Sequence, residues 1–291
     1  MEPRSNNPPL VVIVGQTASG KSALALSIAE RWNGEIIAAD SRTIYRGMDI
    51  GTAKPSAADR ARVPHHLIDV VDPDTSFTAR DFQRLAQASI ADITARGRLP
   101  ILAGGTGLYV DAVIFNFGFR GGSDRSQRAL LETFDAARLQ EILVRQNLPL
   151  PENAQNPRHL IRAIERAGAP MTKGEIRPNT LVIGLELSRE VLKERVTQRL
   201  DAMLAAGLEQ EVISLAKRYG WVCPPMQTIG YQEFRNYAAG QVTVQEVRQA
   251  IITHTVQYAK RQKTWFKRNQ SINWISKTEE AVELVTTFLN K

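Results

Sequence analysis

Gly15-Gln16-Thr17-Ala18-Ser19-Gly20-Lys21-Ser22 is the stretch best equipped for chemistry. Its GxxxxGK[ST] spacing, between an apolar run and a helix-like run, is that of a phosphate loop. The glycines permit backbone turns closed to bulkier residues. Successive N–H groups can then point inward as an anion nest at a helix N-terminus. Lys21 adds a mobile positive charge, and the Ser22 hydroxyl can ligate magnesium (Mg2+). Such a loop binds phosphate. Alone it reads as a nucleotide (ATP-type) site, and it specifies neither whose phosphate is bound nor whether a phosphoryl group moves.

Four further constellations could join it. Asp40 ends an apolar strand after the phosphate-loop helix, at the edge where open α/β sheets bind ligands. It could help hold a metal or accept a proton, or simply cap its own loop. Gly104-Gly105-Thr106-Gly107 is a second strand-to-helix turn able to face an anion, or a plain tight turn. Arg195 and Arg199 lie one helical turn apart and could clamp a diphosphate, although solvated arginines are commoner. Lys260, Lys263 and Lys267 share one helix stripe interleaved with Trp265 and Phe266, a pattern suited to nucleic acid or to a solvated face. The four histidines, His65, His66, His159 and His254, have no metal-ligand spacing.

The elements that must position these residues alternate. Strands are expected at Leu10–Val14, Glu35–Ala39, His66–Val71 and Leu99–Ala103, with helices over Ser22–Trp32, over Ala79–Ala95 behind a Thr78/Asp81 cap, and from Leu108. The stretch Ser41–Pro64 is loop-rich. This rhythm implies a P-loop NTPase-like parallel α/β sheet flanked by helices. Between about Phe119 and Pro178 no strand is convincing, and two helices, Asp124–Arg145 and Asn156–Ala167, imply a small all-helical insertion. The expected division is 1–118, 119–178 and 179–291. Beyond the insertion come a strand at Thr180–Leu187, a helix from Ser188 toward Lys217 interrupted near Gly207, a Thr243/Glu246 capping box opening a helix to about Lys267, a strand at Ile272–Ile275 and a last helix capped by Ser276 with Glu279.

Composition narrows the class. The 291 residues carry a formal charge of +7 with 43% hydrophobic content, enough for a sizeable core, and the basic balance points to a polyanionic partner. The lone Cys223 excludes an internal disulfide and a cysteine-based zinc site. The opening MEPRSNNPPL has no apolar stretch and no run approaches a membrane span, so the expectation is a cytoplasmic chain without membrane contact.

Several stretches then occur in succession: the phosphate loop, Asp40-Ser41-Arg42-Thr43-Ile44-Tyr45, Gly47-Met48-Asp49-Ile50-Gly51-Thr52-Ala53-Lys54-Pro55, Pro64-His65-His66-Leu67-Ile68-Asp69, Gly104-Gly105-Thr106-Gly107-Leu108-Tyr109, Arg162-Ala163-Ile164-Glu165, Ile229-Gly230-Tyr231-Gln232-Glu233 and Arg261-Gln262-Lys263-Thr264-Trp265-Phe266. Together, from about Leu10 to Asn273, the chain resembles the bacterial tRNA dimethylallyltransferase (isopentenyltransferase) family. The resemblance implies transfer of a dimethylallyl group from dimethylallyl diphosphate to N6 of adenosine 37 in the tRNA anticodon loop, with diphosphate released and magnesium used; a monomer is expected. By resemblance, residues 15–22 hold the diphosphate and Ser22 its metal. Asp40 contacts the adenine amino group as base, and Thr17, Lys21 and Arg199 stabilise the leaving diphosphate. The tRNA contacts would be Asp40, Ser41, Arg42, Thr43, Thr106, Arg128, Arg158 and Arg162, with the insertion gripping the anticodon stem and Lys260, Lys263 and Lys267 adding charge. Gln155-Asn156-Pro157-Arg158 departs from the family's Asp-Pro-Gln-Arg pattern. A kinase on the same scaffold and a nonenzymatic RNA-binding protein are the competing readings; the second gives Asp40 no task.

Overall fold

The computed structural model describes residues 7–119, 125–167 and 172–290. They fall into two compact units, one made of Met1–Ile114 with Ile176–Lys291 and the other of Phe115–Glu175. In the first unit, β1 (Leu10–Gly15), β2 (Gly34–Ala38), β3 (His65–His66), β4 (Leu99–Gly104), β5 (Thr180–Leu185) and β6 (Ile272–Ile275) form one sheet in the order β3-β2-β4-β1-β5-β6. All its pairings are parallel, with Val11 opposite Ile101 on one side and Leu181 on the other. β1 is buried at every position, as a strand covered on both faces must be.

Helices pack on both sides. α1 (Lys21–Arg31) and α12 (Thr278–Leu289) cover one face, where Ile28, Ala281 and Val285 meet Val11, Ile13 and Ile183. The other large apolar cluster joins Ile44 and Met48 to Leu200 of α8 (Arg189–Ala205), Val212 of α9 (Leu208–Tyr219) and Ile251 of α11 (Val244–Phe266). α3 (Ala79–Ala95) begins at the expected Thr78/Asp81 capping box, and α11 at Thr243/Glu246. α4 (Gly107–Ile114) follows β4 directly. In the second unit, α5 (Arg125–Leu131), α6 (Ala136–Arg145) and α7 (Pro157–Glu165) bury Leu131, Leu139, Leu143, Leu160 and Ile164 against one another.

Four expectations need correction. The third strand is two residues long rather than His66–Val71, because Leu67 and Asp69 take left-handed backbone (φ 62° and 55°) and turn the chain out of the sheet. The helix expected over Asp124–Arg145 is two helices, since the Asp135 side chain accepts from the Arg138 N–H and caps a new start. The last helix is capped by Glu280, which accepts from the Lys277 N–H at 2.8 Å, one position beyond Glu279. The loop-rich 41–64 stretch contains a short helix, Ala57–Arg62, that Ser56 caps by accepting from the Asp59 N–H.

The start of β2 carries a buried carboxylate. Glu35, its side chain 1% exposed, accepts from Arg96, Arg98 (2.8 Å) and His66 (2.7 Å). These donors, Arg96 foremost, hold its carboxyl down from the usual 4.5 to about 2 against the opposing effect of burial. Because the folded-state value is depressed, the stability it contributes is present above about pH 4.5 and is lost as pH falls toward 2. Glu35→Gln is expected to cost about 2 kcal/mol near neutral pH, the ion pairs being part-exposed, with the gap to wild type closing in acid. Urea unfolding at several pH values measures this, and a gap constant down to about pH 3 would refute it.

Candidate active site

The site lies where four parallel strands end. The phosphate loop follows β1, Asp40 follows β2, the Gly104–Gly107 turn is at the end of β4, and Glu186 follows β5. Gly20 turns the loop into α1 with φ 95°, a conformation glycine adopts without cost, and no side chain caps this helix. The exposed α1 N-terminus therefore opens into a pocket of about 840 Å³. Thr17, Ala18, Ser19, Gly20, Lys21 and Ser22 line it, whereas Gly15 and Gln16 are buried beneath. The hydroxyls of Ser19 and Thr43 are buried with no partner among the described residues, so polar capacity is held in reserve beside the pocket.

Three charged side chains face one another here. Lys21 donates to the Gln16 carbonyl at 2.5 Å. Burial lowers its ammonium from 10.5 to about 8, Arg199 pushing the same way and Asp40 opposing. Burial also pulls the Arg199 guanidinium down, again with Asp40 opposing. Asp40 accepts from the Arg42 N–H at 2.7 Å, so it caps its own loop while its charge reaches both cations. Arg195 lines the same pocket from the exposed side of α8. The Thr106 hydroxyl accepts from the Ser41 N–H at 3.0 Å and the Thr106 N–H donates to the Ala39 carbonyl, tying the β4–α4 turn to the Asp40 loop. Leu200, Met203, Leu208, Ile229 and Ile251 provide an apolar wall.

Sequence reasoning missed three residues that line this pocket, Tyr231, Tyr258 and Gln262. The i, i+4 spacing of the last two on α11 was the available signal. Burial raises the Tyr258 hydroxyl, Asp40 adding to the shift and Arg42, Gln262 and Thr106 opposing it. On the same helix Lys263 pairs with Glu186, Lys267 lies 3.9 Å from the same carboxylate, and Lys260 is exposed. Two of the stripe's three charges are thus partly answered within the protein.

In the second unit, Arg128 and Arg162 both pair with the buried Glu165 at 2.9 Å, and Arg128 also with Glu132. Arg128, 29% exposed, holds α5 to α7, while Arg158 and Arg162 are exposed.

A phosphate loop between the first strand and first helix of a parallel sheet makes this chain a P-loop α/β protein. Within that class, the family model described as IPP transferase matches residues 43–269. A tRNA dimethylallyltransferase of Roseiflexus sp. (strain RS-1) is 46% identical over 277 residues, covering 89% of this chain and 90% of the relative. The full-length tRNA isopentenylpyrophosphate transferase of Bacillus halodurans superposes with a TM-score of 0.75 at 38% identity, over 98% of this chain and 97% of that one. A eukaryotic dimethylallyltransferase solved acting on tRNA gives 0.77 at 26% identity, over 93% and 74% of the two chains. The chain belongs to the IPP transferase family.

The lowered Lys21 value has a measurable consequence. An anion such as diphosphate would pair with Lys21 only in its charged form, so affinity should fall as pH rises through about 8. Lys21→Arg should remove the break, since arginine stays protonated. Calorimetric titration with inorganic diphosphate across pH is the check, and a level wild-type profile to about pH 10 would overturn the assignment.

Proposed function

We propose that this protein transfers the dimethylallyl group of dimethylallyl diphosphate to N6 of adenosine 37 in the tRNA anticodon loop. It would release diphosphate and act as a monomer in the cytoplasm. Transfer of a dimethylallyl group to tRNA is the activity for which its relatives are named. The observation that carries the reading is a carboxylate, Asp40, that lines one pocket with the cations Lys21 and Arg199 and the N-terminus of α1. None of the helices among the described residues is long and apolar enough to cross a membrane.

Adenine N6 is a weak nucleophile because its lone pair is shared with the ring. The reaction therefore depends on weakening the allylic C–O bond. As that bond breaks, the electron pair stays with the diphosphate, and charge grows where the loop N–H groups, Lys21, Arg199 and the Thr17 hydroxyl converge. Preorganised donors of this kind favour the transition state over the ground state. The new C–N bond forms as N6 loses a proton, for which Asp40 is the acceptor. To reach a pocket this deep, the base must leave the anticodon-loop stack. Ser41, Arg42, Thr43 and Thr106 would receive it around Asp40. The apolar wall from Leu200 to Ile251 would sheathe the prenyl tail and exclude the water that would otherwise hydrolyse it.

Magnesium fits the donors present. Among the described residues no three His, Cys, Asp or Glu side chains converge as a metal site. A hard cation would rest on diphosphate oxygens and water, with the pocket-lining Ser22 hydroxyl as the protein's ligand, and such sparse protein ligation is the habit of magnesium. When bound it would offset charge on the leaving group. For the tRNA, Arg158 and Lys260 are exposed, while Arg128, Arg162, Lys263 and Lys267 would contact phosphate in competition with their internal carboxylates.

Incubation with dimethylallyl diphosphate, magnesium and tRNA should yield adenosine heavier by one prenyl unit on nucleoside mass analysis. ATP consumption on a small acceptor with unmodified tRNA would favour the kinase instead. Asp40→Ala should lower single-turnover transfer by at least about a hundredfold while tRNA affinity stays within about threefold. Lost binding with surviving chemistry would remove Asp40 from the role of base.

A further inference from the structure

Gln262 is 6% exposed, near the C-terminal end of α11, and both halves of its amide are used. Its Oε1 accepts from the Thr17 N–H at 2.7 Å, and its Nε2 donates to the Gly105 carbonyl at 2.9 Å. One partner only donates and the other only accepts, so the two contacts together fix which way the amide faces. A single side chain thus spans the phosphate loop after β1 and the turn after β4.

The neighbouring positions on this face of α11 reinforce the bridge. One turn earlier, the Gln16 Nε2 donates to the Ala259 carbonyl at 3.2 Å. At Gly105 a Cβ would collide with the Gln262 amide, and at Gly107 with the Trp265 indole, whose Nε1 donates to Asp111 at 2.9 Å. The glycines let α11 sit directly on both loops, and Gln262 fills the contact between them.

We propose that Gln262 is a positioning residue for the transfer, setting the separation between the diphosphate and the adenine. This rests on the function proposed above, in which the phosphate loop carries the donor and the Asp40–Thr106 side receives the base. The two reacting atoms must approach to about 3–3.5 Å, and a misplacement of about 1 Å costs on the order of a hundredfold in rate. No other side chain is hydrogen-bonded to the backbone of both loops among the contacts described, so its loss lets the loops drift apart without removing a group that reacts.

Glutamate is nearly isosteric with glutamine, and its protonation state sets the test. Ionised, it can still accept from the Thr17 N–H but turns an acceptor toward the Gly105 carbonyl. Protonated, it has an O–H to donate there while its other oxygen accepts from Thr17, so the bridge is restored. The experiment measures kcat and KM for both substrates across pH in wild type, Gln262→Glu and Gln262→Met, with thermal unfolding alongside. Near pH 8, both variants should show kcat lowered about tenfold to a hundredfold, with KM within about threefold. The ratio of Gln262→Glu to wild-type kcat should climb as pH falls, whereas Gln262→Met should stay low throughout. Taking the ratio removes any pH dependence that the two proteins share.

A loss confined to KM, an unaltered kcat in folded Gln262→Met, or a Gln262→Glu ratio that does not move with pH would each overturn the proposal. Should Gln262→Glu unfold above neutral pH, Gln262→Met decides by its kcat alone. A wild-type protein that makes no prenylated adenosine would defeat the proposed function instead, so the two failures are separable.

Discussion

Lys21 and Arg199 are two desolvated cations that share one carboxylate, Asp40, and this imbalance governs the site. In a pocket partly walled by apolar side chains, burial penalises a charge and an ammonium yields by losing affinity for its proton, with the repulsion of Arg199 a smaller addition and Asp40 opposing both. Lys21 does so, falling to about 8. The arrangement disfavours itself until an anion enters. The proposed diphosphate substrate would supply the missing charge, and a departing diphosphate more of it than a bound ester. On the proposed reaction the pocket would be better matched to the end of C–O cleavage than to its beginning, which is the differential on which catalysis depends.

The scaffold makes such a concentration of charge tolerable. Parallel strands direct their following loops to one edge, and β1 lies between β4 and β5, so the phosphate loop is flanked on both sides by other strand ends. The cost of crowding these backbones together is met by residues without side chains. At Gly15, for example, a Cβ would lie 2.5 Å from the Leu185 carbonyl oxygen. Away from the site, stability comes from ordinary burial around Ile13, Ile28 and Val285 and from the Glu35 cluster at the start of β2. The charged pocket therefore need not contribute to holding the fold.

Much of this was legible in the chain because it is local. The phosphate loop, the capping boxes at Thr78 and Thr243, and the apolar runs that become β1, β4 and β6 are set by neighbours within a few residues. What was not legible depends on distant partners or on backbone choices that side-chain type does not encode. Leu67 in left-handed backbone ends β3 early, although leucine after two histidines reads as strand. Glu186 answers Lys263 from the end of β5, so a stripe that looks wholly solvated is partly neutralised. Gln262, read as one letter of a familiar motif, meets Thr17 across 245 positions of sequence. Asp40 stands out for a different reason, its place at the C-terminal edge of a strand where open α/β sheets bind ligands, and it does line the pocket.

In the proposed reaction carbon, not phosphorus, is the atom attacked. The direct measurement uses dimethylallyl diphosphate carrying a heavy-oxygen label at the bridging position between carbon and phosphorus, followed by mass analysis of every product. Attack at carbon leaves all the label in the released diphosphate and places an unlabelled prenyl group on adenosine. Label retained in a prenyl alcohol, or a phosphoryl group found on the RNA, would mean that the bond to phosphorus breaks, and the site would belong to a phosphoryl-transfer enzyme after all.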